Sequence, residues 1–286
     1  MNNARKIFSA VLLLSVGTFP FTMQAQTVLD GAYIKEHTKT NKIIQYPHLR
    51  EADVMWSKRI WRTIELKEKI NHPLYFPHNE INDRKSLFQV IRDGLIVEGS
   101  ITAYDPGVTL DDEFNDPMLI SEVEGILAKM DTMLVPDPDD WDRMIEVIQQ
   151  NDITPDQIER YQIKEDWYFD KQRSEMYVRI IGLAPQIAAL TQDGERTGAY
   201  RTLFWLYFPE CRYLFSNWEV YNRANDSERR TFDDIFMKRQ FSSFIHKEQN
   251  VYDRSIVEYA IGIDALLESE RIKEELFLME HDLWNF

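Results

Sequence analysis

Between Tyr161 and Ile180 the chain alternates apolar and polar side chains, and this pattern restricts the possible folds more tightly than any other. Tyr161, Ile163, Trp167 and Phe169 alternate with Gln162, Lys164, Asp166 and Tyr168. After the polar Lys171-Gln172-Arg173-Ser174 the chain resumes as Met176-Tyr177-Val178-Arg179-Ile180. Successive side chains of a strand point to opposite faces, so the spacing predicts a β-hairpin. Leu203-Phe204-Trp205-Leu206-Tyr207-Phe208 is continuously apolar, as expected for an inner strand covered on both faces and closed by Pro209.

Around these strands the period is helical. Ala52, Trp56, Ile60 and Ile64 fall four apart and Glu65 and Lys69 stand at i,i+4, which predicts a helix from Leu49 to Ile70 ending at Asn71-His72-Pro73. A second helix is expected over Lys85 to Glu98, before a short strand at Ile101 to Tyr104. Pro136-Asp137-Pro138-Asp139-Asp140 is expected as a loop feeding a helix from Trp141 to Gln150, with aspartates at its N-terminal end. In the last helix Ile272, Leu276, Met279 and Leu283 form one buried stripe. The fold class is therefore α+β, a modest antiparallel sheet flanked by helices with an extended N-terminal arm.

Residues 1 to 25 carry Arg5 and Lys6, an apolar run from Ile7 to Val16, and Met23-Gln24-Ala25 before Gln26, the three-part pattern of a secretory signal. The expected domains are a signal peptide at 1–25, an extended arm at 26–46, and an α+β domain at 47–286 that has room for two lobes. No other stretch is apolar for long enough to span a bilayer. The lone cysteine, Cys211, excludes an intramolecular disulfide, and no cysteine follows the apolar run to carry a lipid. Export without lipid, disulfide or membrane span points to a periplasm or to full secretion.

Charge excludes a further class. With 33 Lys+Arg against 48 Asp+Glu the formal charge is −15, and losing Arg5 and Lys6 takes it to −17, unsuited to neutralising phosphates. A hydrophobic content of 44% supports a packed core. From Asp111 to Asp170 there are 18 Asp+Glu against 4 Lys+Arg, which holds most of the negative charge. The stretch Leu49 to Ile70 runs the other way, with Arg50, Lys58, Arg59, Arg62, Lys67 and Lys69 against Glu51, Asp53, Glu65 and Glu68. Its basic and aromatic residues Trp56, Arg59, Trp61 and Arg62 are the candidates for a partner interface. One basic face and one acidic face also permit head-to-tail self-association that weakens as salt rises.

Catalytic patterns are sparse. There is no G-x-S-x-G elbow, no Gly-rich phosphate loop and no H-E-x-x-H. His72 and His78 at loop spacing make at most half a zinc site. Asp137, Asp139, Asp140 and Asp142 alternate as in a calcium loop but lack its glycine and terminal glutamate. Asp111, Asp112, Glu113 and Asp116 have the chemistry of a glycosidase acid and base. The alternative function is accordingly a periplasmic hydrolase or ligand-binding protein using the acidic 111–142 region.

Several strings, in order, resemble the gliding motility protein GldN and its secretion counterpart PorN. They are Ala52-Asp53-Val54-Met55-Trp56-Ser57-Lys58-Arg59-Ile60-Trp61-Arg62, Asn71-His72-Pro73-Leu74-Tyr75-Phe76-Pro77, and Ile101-Thr102-Ala103-Tyr104. Further along come Ile181-Gly182-Leu183-Ala184-Pro185, Leu203 to Pro209, Met237-Lys238-Arg239-Gln240-Phe241-Ser242-Ser243, and Glu280-His281-Asp282-Leu283-Trp284. The resemblance implies a periplasmic, non-enzymatic part of the type IX secretion system of Bacteroidota. It implies assembly with a GldK/PorK-like outer-membrane lipoprotein into a ring at the inner face of the outer membrane, and contact with a GldM/PorM-like periplasmic domain. It supplies no catalytic, metal or cofactor-binding residues. From that taxon, Asp131-Thr132-Met133 fits an O-glycosylation pattern, with Thr132 as the acceptor.

Overall fold

The computed structural model describes residues 41–81, 84–107, 111–136, 144–191, 195–223, 225 and 227–283, with no side chains described from 129 to 151. The chain divides into two units, Met1–His37 and Thr38–Phe286, and the described residues belong to the second. The expected signal peptide, most of the expected arm, and Asp137, Asp139, Asp140 and Asp142 lie outside them.

In chain order the elements are β1 (Val54–Glu65), α1 (His72–Tyr75), α2 (Leu87–Ile96), β2 (Ala103–Tyr104), α3 (Ile120–Leu127), β3 (Ala128–Pro136) and β4 (Met144–Asp152). They continue as β5 (Ile158–Asp170), β6 (Glu175–Leu190), β7 (Arg196–Thr202), β8 (Trp205–Tyr207), α4 (Phe208–Phe215) and α5 (Phe232–Met237). The last are β9 (Phe244–Glu248), α6 (Ile256–Tyr259) and α7 (Ile263–Asp282). Seven strands form one antiparallel sheet in the order β2-β8-β6-β5-β1-β9, with β7 also paired to β6; β3 and β4 make a separate two-stranded sheet. The α+β class stands.

The hairpin at the centre of the sheet forms where the alternation places it. Tyr168 pairs with Tyr177 and Phe169 with Met176, and β6 then runs on to Leu190. The Lys85–Glu98 helix is α2, started by a capping box in which Ser86 and Gln89 exchange side-chain and backbone bonds. The inner strand narrows to Trp205–Tyr207, because Phe208 already begins α4 with Pro209 in its first turn.

Two predicted helices are strands. The stretch Leu49 to Ile70 contains β1, paired with β5 along its length. A spacing of four is a multiple of two, so Trp56, Ile60 and Ile64 share one face of a strand as readily as one face of a helix. The β-branched and aromatic run Ile60-Trp61-Arg62-Thr63-Ile64 is buried throughout, which suits an inner strand. The expected Glu65–Lys69 contact does not form; Glu65 accepts from Arg160 at 2.5 Å across the strands. The expected Trp141–Gln150 helix is likewise replaced by β4, whose register with β3 runs from Ala128↔Asp152 to Pro136↔Met144. Pairing with a partner strand here overrides local helical preference.

One sheet face carries the principal core. Ile64, Tyr161, Ile163 and Leu183 pack with Phe88 and Ile91 of α2, Phe208 and Phe215 of α4, and Phe236 of α5. At the β1–β9 end of the sheet, Ile60 and Ile245 pack with Ile256 of α6 and with Ile272 and Leu276 of α7. Thus part of the predicted α7 stripe is core, while Met279 and Leu283 are half-buried at its end. Residues 41–50 run extended beside α4 and β6. Arg212 donates to the Ile44 carbonyl at 2.8 Å and Arg179 to that of Pro47 at 3.1 Å. The Tyr46 ring lies between the two guanidinium groups, 4.4 Å from Arg212 and 4.8 Å from Arg179. Among the described residues no helix is long and apolar enough to cross a membrane.

Candidate partner-binding surface

Because β1 is a strand, the four interface candidates divide between its faces. Trp56 and Arg62 lie on the face covered by helices. Trp56 is half-buried against the Ile60–Ile245–Ile272 group, and Arg62 is buried with its Nε donating to Ser243 Oγ at 2.9 Å. Burial pushes the Arg62 pKa down, opposed by the Glu165 carboxylate. Arg59 and Trp61 lie on the opposite face. Arg59 makes a two-pronged pair with Asp166, directly across the register, at 2.6 and 3.0 Å. Trp61 is only 5% exposed, and its indole N–H donates to Asp112.

Trp61 borders a cleft of about 490 Å³, lined also by Asp112, Gln162, Gln186, Trp205 and Lys247. Lys164, buried beside it, donates to the Asp112 carbonyl at 2.7 Å and pairs with its carboxylate at 3.3 Å. The Lys247 ammonium lies 4.6 Å from the centre of a Trp61 ring and pairs with Asp253 at 2.7 Å. Phe114, at φ 59°, closes over this face against Trp205, and a Cβ at Gly182 would stand 2.8 Å from its ring. Only glycine allows that approach without displacement. Sequence reasoning missed Lys164 and Lys247; Lys164 becomes visible only once the β1–β5 register sets it opposite Trp61.

His246 closes the same cleft, sharing a 2.9 Å hydrogen bond with Thr63. Burial pushes its imidazole from 6.5 down to about 4, and the neighbouring Lys247 acts in the same direction. Between those values the unfolded chain binds a proton that the folded chain does not. Its contribution to stability is therefore complete above about pH 6.5 and is lost as pH falls toward 4. Thermal melts should show lower stability at pH 5 than at pH 7, and His246→Gln should flatten that slope.

Where the acidic region begins, its carboxylates are tied down locally. Asp111 accepts from the Asn115 side chain at 3.1 Å and from the Glu113 N–H at 3.0 Å, which holds its carboxyl below the usual range. A glycosidase acid needs the opposite shift. Asp112 is neutralised by Lys164. Further along the block, Glu159 pairs with Lys67 and Arg196, Glu165 with Arg239, Asp166 with Arg59, and Asp170 with Arg173. The basic and acidic stretches thus meet inside one chain. The His72 and His78 rings pack on Phe76 at 5.4 and 4.7 Å, and the described residues contain no group of three or more potential metal ligands. Thr132 lies in β3.

Several of the strings that stood out in the sequence come together in space. Asn71, fully buried, donates to the Glu65 and Ser242 carbonyls at 2.8 and 3.0 Å and accepts from the Ser242 N–H at 2.9 Å. Ala103–Tyr104 pairs with Trp205–Leu206, and Leu206–Tyr207 with Gly182–Leu183. A family model described as "Gliding motility associated protein GldN" matches residues 49–285. No curated protein matches the chain.

Proposed function

Because the chain belongs to the gliding motility associated protein GldN family, and so to the gliding and type IX secretion machinery, we propose that it is a non-enzymatic structural subunit of a periplasmic ring. In this reading it assembles with a GldK/PorK-like outer-membrane lipoprotein, contacts a GldM/PorM-like periplasmic domain, and acts through protein contacts alone. The observation that carries the proposal is the extent of the family match, residues 49–285. The test is to purify the chain, without residues 1–25, together with its lipoprotein partner. Size-exclusion chromatography and negative-stain imaging are expected to show large annular assemblies. Separate small species at cellular concentrations would refute the proposal.

Of the four interface candidates, Arg59 is the one that tests contact most cleanly. The side chains of Arg59 and Asp166 are 37% and 30% exposed, so the pair stabilises the fold by no more than about 1 kcal/mol. Arg59→Ala should therefore leave the melting temperature nearly unchanged. If β1 meets the lipoprotein partner through this face, the same variant will weaken co-elution, whereas unchanged assembly would remove Arg59 from the interface.

A further inference from the structure

Helix α7 presents two faces. Ser269, Ile272 and Leu276 turn inward, while Ile263, Leu267, Phe277 and Leu278 stand 75%, 61%, 65% and 48% exposed. On the outward side Ile263, Leu267, Glu270, Glu274 and Phe277 follow one another at spacings of four, three, four and three. That is the repeat of a seam made for a second helix. Its two ends are apolar, about 15 Å apart from Leu267 to Phe277 at the helical rise. Its middle is acidic: Glu270 makes only an exposed 3.3 Å contact with Lys273, and Glu274 has no ion pair among the described residues.

This pattern selects the occupant. Two copies of α7 laid along this seam would set carboxylate against carboxylate, Glu270 against Glu270 in the parallel sense and Glu270 against Glu274 in the antiparallel sense. Like charges at a seam oppose pairing. A helix with apolar residues at both ends and Lys or Arg in the middle fills the seam and neutralises it.

We propose that the outward face of α7 is a docking surface for a cationic amphipathic helix of another protein. This goes beyond the ring reading and does not depend on it, because it rests on the spacing, exposure and charge of α7 itself.

The experiment uses the full chain without residues 1–25 and two three-heptad helical peptides. Both carry leucines opposite Ile263, Leu267 and Phe277. One has lysines opposite Glu270 and Glu274, and the other has glutamates there. Fluorescence anisotropy is expected to show the lysine peptide binding at least about tenfold more tightly. The double variant Glu270→Lys/Glu274→Lys should reverse that order, and Phe277→Asp should abolish binding with an unchanged thermal melt. Equal binding of both peptides, binding of neither, or no reversal in the double variant would overturn the proposal. So would a concentration-dependent dimer lost in Phe277→Asp, which would assign the face to a second copy. Sedimentation with phosphatidylcholine vesicles would assign it to a lipid surface instead.

Discussion

Asp233→Ala should cost about 3–5 kcal/mol of stability, the range for removing one partner of a buried ion pair. Arg212 is 1% exposed, and its Nε and Nη2 reach Asp233 at 2.8 and 3.1 Å. Without the carboxylate a guanidinium group is left uncompensated between α4 and α5. At roughly 2–4 °C per kcal/mol for a domain of this size, the melting temperature should fall by about 10 °C. Circular dichroism melts measure this directly. The double variant Arg212→Met/Asp233→Leu should recover most of the loss, since apolar groups of similar volume can replace a buried pair with little penalty. A fall of under about 1 kcal/mol in the single variant would show that solvent reaches the pair. Because Arg212 also holds the Ile44 carbonyl, limited proteolysis should cut Asp233→Ala faster near residues 41–47.

Trp61→Ala should be the other large effect, also about 3–5 kcal/mol, as for deletion of a buried large aromatic side chain. The indole packs against Ala184 and Trp205, accepts Lys247 over its face, and donates to Asp112. Its removal leaves the Asp112 carboxylate short of one donor and opens a void beside Lys164. Chemical denaturation of the isolated chain would read this without any partner. The result separates two roles: an interface anchor loses binding while the free subunit stays stable, whereas Trp61 should destabilise the subunit itself. A stable Trp61→Ala chain that fails to assemble would restore it as an anchor.

The hairpin and α2 were legible because their signals are local. Alternation across 161–180 needs no partner to be recognised, and the Ser86–Gln89 capping box lies within four residues. β1 was not legible, since apolar residues four apart satisfy both periods and only the β5 register resolves them. β4 was hidden for a different reason: aspartates before an apolar run resemble a helix start, and its actual partner is the β3 strand upstream. The cleft around Trp61 needs Asp112, fifty-one residues along the chain, and Lys247 from β9, so no window of sequence contains it. Of the strings that carry the resemblance, those in β1, β2, β6 and β8 proved to be strand pairs, and Asn71 and Ser242 join two more by buried hydrogen bonds.

The arm has a mechanical consequence. Ladder bonds between antiparallel strands lie perpendicular to the strand axis, so tension that draws β1 lengthwise past β5 loads its whole register in shear, from Val54 to Glu65. Tension applied at residue 41 does not reach that ladder first. It meets the Asn41–Ser216 bonds and then the Arg212 and Arg179 holds on Ile44 and Pro47, which would yield one at a time and lengthen the chain before the sheet is strained.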